Sequence, residues 1–292
     1  MGDKSKIQWT DATWNPIKGC TPISEGCAHC YAARMADRLS AMGVAGYEDG
    51  FAVGLREDVL DQPLRWKKRR AIFVCSMGDL FHESVSTEWI DRMWARMLLS
   101  PQHIFQVLTK RPARMLEYLS DSELYGRILR VADQEIRPRF PATQEIGISD
   151  PLWREAEWIW LGVTGENQQR LEGRWGILAN TPSAVRFVSV EPMLGPVDLY
   201  HAILMGPCGY YCDEEHGHID HRSPDWVICG CESGPSARPF DLDWARGLRD
   251  QCRDMEIPFF FKQAPGPWRP GRTISMPPLD GRVWAQFPKV RR

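Results

Sequence analysis

Short apolar runs recur along the chain, and polar residues follow each one. The runs are 71–75 (AIFVC), 103–108 (HIFQVL), 158–163 (WIWLGV), 185–190 (VRFVSV), 226–229 (WVIC) and 258–261 (PFFF). They are short and almost wholly apolar, the pattern of parallel strands buried on both faces. Between them lie segments with helical periodicity: 31–41, 87–99, 111–119, 167–179 and 242–255. In 87–99, Trp89, Ile90, Met93, Trp94, Met97 and Leu98 fall at three- and four-residue spacing and form one apolar stripe. In 242–255, Asp241 or Asp243 is a candidate cap, with Leu242, Ala245, Leu248 and Cys252 on the buried face. A seventh strand is expected near Asn15–Gly19. Strand–helix alternation over six or seven units predicts an α/β fold, a full or partial (β/α) barrel with parallel strands.

Two stretches break the alternation: a polar one at about 120–157, and a Cys/His-rich one at 206–225. Both are expected to be insertions in a single barrel-like domain over 1–263. The tail, 264–292, is proline-rich and is expected to run over the surface.

The 292 residues carry 36 Lys and Arg against 38 Asp and Glu, a formal charge of −2. That excludes a globally basic nucleic-acid coat protein but leaves room for a local basic groove. No apolar run approaches the roughly 18 residues of a membrane span, and the polar N-terminus carries no signal segment. A cytoplasmic location is therefore expected. Thiols stay reduced there, so clustered cysteines read as metal or catalytic ligands rather than disulfides.

In a β/α barrel, chemistry sits on the loops that follow the strands. Here those loops carry Ser76, Asp79 and His82; Thr109, Lys110 and Arg111; Thr164, Glu166 and Asn167; Glu191; Glu232 and Ser233; and Lys262 and Gln263. Turns are polar in any case, but six such clusters in register suggest a convergent polar mouth. Glu166, Glu191, Glu232 and Lys262 would there suit a zwitterionic ligand or a ribose.

The strongest local motif is Cys20, Cys27 and Cys30, spaced C-x6-C-x2-C and interleaved with Gly, Pro, Ser and Glu. Three thiols in such a loop do not read as core. Zinc would need a fourth ligand, His29 or a distant Cys or His. A cubane iron–sulfur cluster held by three Cys would leave one iron open to a small molecule. A helical segment follows Cys30, and its positive end favours thiolates.

These residues also carry a resemblance. Trp14-Asn15-Pro16-Ile17-Lys18-Gly19-Cys20 and Cys27-Ala28-His29-Cys30-Tyr31-Ala32-Ala33-Arg34 are similar to the cluster loop of radical S-adenosylmethionine (SAM) enzymes, in particular the branch around spore photoproduct lyase. The chain also resembles, over nearly its whole length, a phage and prophage family with a three-Cys motif. That resemblance includes 76–83 (SMGDLFHE), 106–112 (QVLTKRP), 162–167 (GVTGEN), 186–192 (RFVSVEP), 232–235 (ESGP) and 258–263 (PFFFKQ). The first cysteine gap is six residues where three is common, and His29 stands where an aromatic ring is common. The resemblance implies that Cys20, Cys27 and Cys30 bind a 4Fe–4S cluster. It also implies that SAM binds the open iron and is cleaved to a 5′-deoxyadenosyl radical, with a reductant such as flavodoxin or ferredoxin. A nucleic acid or nucleotide substrate, in DNA modification or repair, and a three-Cys-motif partner protein belong to the same expectation. Ser76–Asp79 is the expected contact of the SAM amino group. Thr109, Lys110, Thr164, Glu166, Asn167, Glu191 and Glu232 are the other expected cofactor-binding residues, with Lys262 and Cys231 as catalytic candidates, Cys231 as a redox or hydrogen-donor thiol.

Cys208, Cys212, His216, His218 and His221 form a second candidate site, for zinc. Cys75, Cys229 and Cys252 read as core. Arg65-Trp66-Lys67-Lys68-Arg69-Arg70 sets five cations around one Trp, a candidate phosphate contact or a solvated turn. Most of the thirteen Trp read as core. Two other classes remain: a zinc-stabilised nucleic-acid-binding protein, and an iron–sulfur electron carrier that never cleaves SAM.

Overall fold

Strand β1 (Ala12–Trp14) opens the sheet; β2 (Ile17–Lys18) and β3 (Gly54–Leu55) pair in a separate two-stranded ribbon. Then come β4 (Ala71–Val74), β5 (Ile104–Thr109), β6 (Ile159–Thr164), β7 (Val185–Val190), β8 (Trp226–Gly230), β9 (Phe259–Pro265) and β10 (Thr273–Ser275). The helices are α1 (Tyr31–Ala41), α2 (Gln62–Arg65), α3 (Thr87–Leu98), α4 (Pro112–Ser120), α5 (Leu124–Val131), α6 (Gln168–Ala179), α7 (Leu199–Leu204) and α8 (Leu242–Asp254). This computed structural model describes residues 5–149, 156–204, 222–266 and 271–289. The hydrogen-bonded order is β1-β4-β5-β6-β7-β8-β9-β10. The β1–β4, β4–β5, β7–β8 and β8–β9 ladders are parallel, and β9–β10 is antiparallel. An order that follows the chain without reversal is that of a β/α barrel, not of a doubly wound sheet. The fold is mixed α/β with the topology of a partial β/α barrel.

The chain forms two compact units, and β6 has residues in both. The first comprises residues 1–22, 32–161 and 181–184. Its core joins Trp14 and Phe105, ring centroids 6.0 Å apart, and Trp94 and Tyr118 at 5.7 Å. Ser86 caps α3, its hydroxyl accepting from Trp89 N. The apolar stripe of α3 is buried as its spacing predicts, and so are Asp91 and Arg96. The reason lies in the polar stretch 120–157. Leu124, Ile128, Ala132 and Ile136, four residues apart, are buried along α5 and the turn that continues it, and α5 packs on α3. Asp91 there accepts from Tyr118 Oη and Arg127 Nε, each at 2.8 Å.

The sheet strand expected near Asn15–Gly19 ends earlier, at Trp14. The Asn15 side chain accepts from Ser76 Oγ and Met77 N, and Pro16 has no N–H to give.

The second unit comprises residues 23–31, 162–180 and 185–292. Every residue of β7 and β8 is buried, as the continuous apolar runs require. Trp226 is packed by Phe187, Phe260 and Phe287 at 5.7, 6.1 and 5.1 Å. The C-terminal residues are tied to the sheet: β10 pairs with β9, and Gln286 O accepts from Trp226 Nε1. Asn167 and Asp241 cap α6 and α8. Trp9, Trp14, Trp89, Trp94, Trp160, Trp175 and Trp226 are buried, so most of the tryptophan is core.

Gly162, in β6, has no room for a side chain. A Cβ there would lie 2.4 Å from the ring of Phe187, itself fully buried. Gly162→Ala is expected to lower stability by about 1–3 kcal/mol through overpacking, read as a lower urea midpoint at unchanged m. Adding Phe187→Leu should restore part of the loss. A midpoint equal to the parent's would show that the ring has space to yield.

Candidate functional site

In the first unit the cysteine loop starts from a backbone contact that only glycine allows. Gly19 has φ +78°, and a Cβ on it would sit 2.2 Å from Ala52 O. Gly19 N donates to Met77 O at 2.8 Å, so the residues just before Cys20 are held against the turn after β4. On that turn Asp79 collects four donors: Phe81 N, Thr109 Oγ1, Lys110 N and Arg111 Nη1, at 3.0, 2.7, 3.4 and 3.2 Å.

Arg111 is the hub of this group. Its Nε donates to Glu83 at 2.9 Å, its Nη1 to Cys20 Sγ at 3.3 Å as well as to Asp79, and its Nη2 to Thr21 O and Oγ1 at 3.1 and 3.0 Å. All five N–H groups of the fork therefore have acceptors. Burial alone would lower its pKa, but Glu83, Asp79 and Cys20 outweigh that and raise it. Thr21 Oγ1 also lies 2.9 Å from His82 Nε2, while His82 Nδ1 accepts from Ser84 N. The ring is thus neutral with its proton on Nε2. Burial and Arg111 both lower its pKa, in keeping with that form.

In the second unit Cys27 ends a 3-10 turn, Glu25–Cys27, and Cys30 directly precedes Tyr31, the first residue of α1. Ser24 Oγ lies 3.7 Å from Cys27 Sγ and donates a short bond to Glu166. Glu166 is fully buried and accepts from Arg174 Nη1 at 2.6 Å; the same nitrogen reaches Thr164 O at 2.7 Å. Exposed Glu25 pairs with Arg170 at 3.0 Å. His29 Nδ1 lies 3.0 Å from Glu232 Oε2, and Glu232 also accepts from Arg238 N, Nε and Nη2 at 2.9, 3.1 and 2.5 Å. Burial would raise the Glu232 pKa, but the bonds from Arg238 and His29 hold it down to about 2. Lys262 Nζ and Glu191 Oε1 pair at 2.9 Å, and Gly230 leaves the space for that oxygen, 2.5 Å from where a Cβ would stand. Burial, then Glu191, pushes the Cys231 thiol up to about 12, so it keeps its proton.

Several expected residues thus meet in each unit: Cys20, Asp79 and Thr109 around Arg111, and Cys27 and Glu166 across Ser24. Glu232 joins the cysteine turn through His29, and Glu191 joins Lys262. Ser76 is bonded to Asn15, and Asn167 caps α6 by accepting from Arg170 N. Ser24, Thr21, Arg174 and Arg238 carried no signal in the motif reading. Arg174 stands seven residues after its cap Asn167, on one helix face, which is the spacing that brings it back to Glu166. Cys208, Cys212, His216, His218 and His221 lie outside the described residues.

A model of the family described as "Protein of unknown function (DUF5131)" matches residues 4–288. No curated protein matches the chain. Among solved structures, "Spore photoproduct lyase complexed with dinucleoside spore photoproduct" is similar at 10% identity and a TM-score of 0.46, over 94% of this chain and 71% of that one. No helix among the described residues is long and apolar enough to cross a membrane.

Arg111→Met leaves Asp79 buried without its cation and is expected to cost about 3–5 kcal/mol, as breaking a buried pair does. Asp79→Asn added to it should cost less than the two losses summed; strict additivity in denaturant titrations would mean that the two do not interact. Glu232, held below its unfolded pKa of about 4.3, contributes stability that is complete above that pH and is lost as pH falls toward 2. Glu232→Gln should flatten the acid limb of stability in that window. Glu25 is lowered to about 2 as well, but it is exposed and its share should vanish at high salt. An unchanged acid limb in the Gln variant would refute the assignment.

Proposed function

The chain belongs to the DUF5131 family, and we propose that it is an iron–sulfur enzyme of the radical SAM type, in which Cys20, Cys27 and Cys30 hold a 4Fe–4S cluster that binds SAM. One observation carries this reading. Of the seven described cysteines, only these three are partly exposed, and all seven are thiols; Cys75, Cys229, Cys231 and Cys252 are buried. Burial raises the pKa of each of those four. Buried thiols are inert, whereas partly exposed ones in polar surroundings are the reactive kind, which supports these three as the ligands.

The donor set fits a cluster. Three soft sulfurs fall within eleven residues of chain. One carries a guanidinium N–H and another has a serine hydroxyl nearby. Hydrogen bonds of this kind tune clusters. Among the described residues no three His, Cys, Asp or Glu side chains are gathered as a metal site, so sulfur spacing and chemistry support the cluster, not a preformed cage. When bound, a reduced cluster and SAM supply one-electron cleavage of SAM and hydrogen abstraction from a substrate. The chain's own residues bind and orient. Ser76, Asp79, Thr109, Lys110, Thr164, Glu166, Asn167, Glu191 and Glu232 are the residues proposed to bind SAM. Lys262 holds Glu191 in place, and Cys231, which keeps its proton, is suited to return a hydrogen atom. The substrate class is a nucleic acid or nucleotide, and ferredoxin or flavodoxin supplies the electron.

Anaerobic purification with metal analysis is expected to give about four irons and four sulfides per chain, as one cubane requires, with little zinc. Cys27→Ala should lose the iron. Reductant and SAM should then yield 5′-deoxyadenosine from the parent protein alone. Zinc in place of iron, or full iron in the Cys27 variant, rejects the cluster; an intact cluster that leaves SAM uncleaved makes the chain an electron carrier.

A further inference from the structure

The most basic stretch of the chain takes no part in the cysteine site. Between Asp61 and Asp79 there is no acidic residue, and five cations fall in Arg65–Arg70. Lys67, Lys68 and Arg69 are exposed, with no carboxylate at ion-pair distance among the described residues. The structure adds a cation that the sequence leaves far away. Arg139, from the stretch after α5, reaches Asp61 Oδ2, the same oxygen that Arg65 approaches at 4.0 Å. Buried Arg96 takes Oδ1 at 2.8 Å. One carboxylate is thus shared by three guanidinium groups. Arg65 and Arg139 keep more than half of their side-chain surface exposed. The neighbouring carboxylates of Glu57 and Glu135 are engaged by Arg92. The result is a strongly positive face on a chain whose net charge is −2.

Aromatic rings are set among these cations. Arg70 stacks over half-exposed Trp66 at 4.9 Å, and Arg139 over half-exposed Phe140 at 5.6 Å. Cations in excess of the carboxylates near them, interleaved with rings, are the chemistry of a surface that tracks a phosphate backbone and stacks bases. The stretch leads into the first residue of β4, whereas Asp79 and the Cys20 loop lie past its last. Four residues of strand separate the two ends, about 13 Å.

We propose that Arg65–Arg70 and Arg139 form a docking surface for single-stranded nucleic acid, a distal anchor that grips the phosphate backbone of a polymer apart from the cysteine loop. It deepens the proposed action on nucleic acid and rests on that reading for its role, while the binding itself needs no cluster.

The test is fluorescence anisotropy of the full chain with a short labelled single-stranded oligonucleotide, as DNA and as RNA, across a salt series. The charge-reversed chain Lys67→Glu/Lys68→Glu/Arg69→Glu and the variant Arg139→Gln are compared with the parent. The three reversed side chains are exposed, so circular dichroism should be unchanged. Each lost phosphate contact lowers the salt slope by about 0.7 on a single strand. The triple variant should therefore lose about 2 in slope and at least tenfold in affinity at low salt, and Arg139→Gln should lose less. Parent-like affinity and slope in the triple variant overturns the proposal. So does a parent chain that binds phosphatidylserine vesicles and not the oligonucleotide. Iron analysis of the same samples separates the two readings. Patch-dependent binding by a chain without iron leaves this surface standing and removes the cluster; a four-iron chain with no patch-dependent binding does the reverse.

Discussion

A guanidinium taken out of water must find an acceptor for each of its five N–H groups or lose more than it gains. Arg111 meets that requirement with a sulfur, two carboxylates and a threonine. The acceptors come from two segments, the cysteine loop at Cys20 and Thr21 and the turn after β4 at Asp79 and Glu83, so satisfying one side chain ties both together. The turn after β4 is held through Asp79, the residue following Cys20 is held through Thr21, and β5 is joined through Thr109. Arg174 plays the matching part in the second unit, where one nitrogen bonds both the end of β6 and buried Glu166. In both units a cation on a helix, or at its start, organises the loops that follow the strands, and the cysteines sit on the loops so organised.

Burial sorts the cysteines by chemistry. Among the described cysteines four are buried, and a thiol that cannot ionise is neither nucleophile nor metal ligand. Three lie on polar loops, beside Arg111, a serine hydroxyl and the start of a helix. The cost of charging a sulfur away from water makes Cys231 a keeper of its proton, while Cys20 stays partly exposed. Identical side chains are thus set apart by environment alone.

The strands β6, β7 and β8 were legible because a strand buried on both faces is almost wholly apolar, with Arg186 and Ser189 of β7 and Thr164 of β6 the buried polar exceptions. The helices 31–41 and 87–98 were legible from their periodicity. Helix α5 was not: it lies in a stretch that is polar overall, its buried residues are four apart, and Asp91 and Arg127 become readable as partners only once α5 lies on α3. The loop clusters showed which residues gather after the strands, yet not how they pair. Arg238 and Arg174 lie six and eight residues from the glutamates they neutralise, and such pairing depends on the path of the backbone. Cys20, Cys27 and Cys30 announced themselves by spacing, because polar and small residues between thiols cannot belong to a core.

Near-neutral net charge says little about a surface on which ion pairs consume most of the charge. Arginine here spends itself on carboxylates: Arg92, Arg96, Arg127, Arg170, Arg238, Arg246 and Arg249 are all paired. Charge left over after such pairing is what a distant polyanion can feel, since a close pair looks neutral beyond a Debye length of about 8 Å. The excess falls where acidic residues are missing from the sequence and where Asp61 is shared three ways. A chain can therefore be acidic as a whole and still present one face on which phosphate is the favoured neighbour.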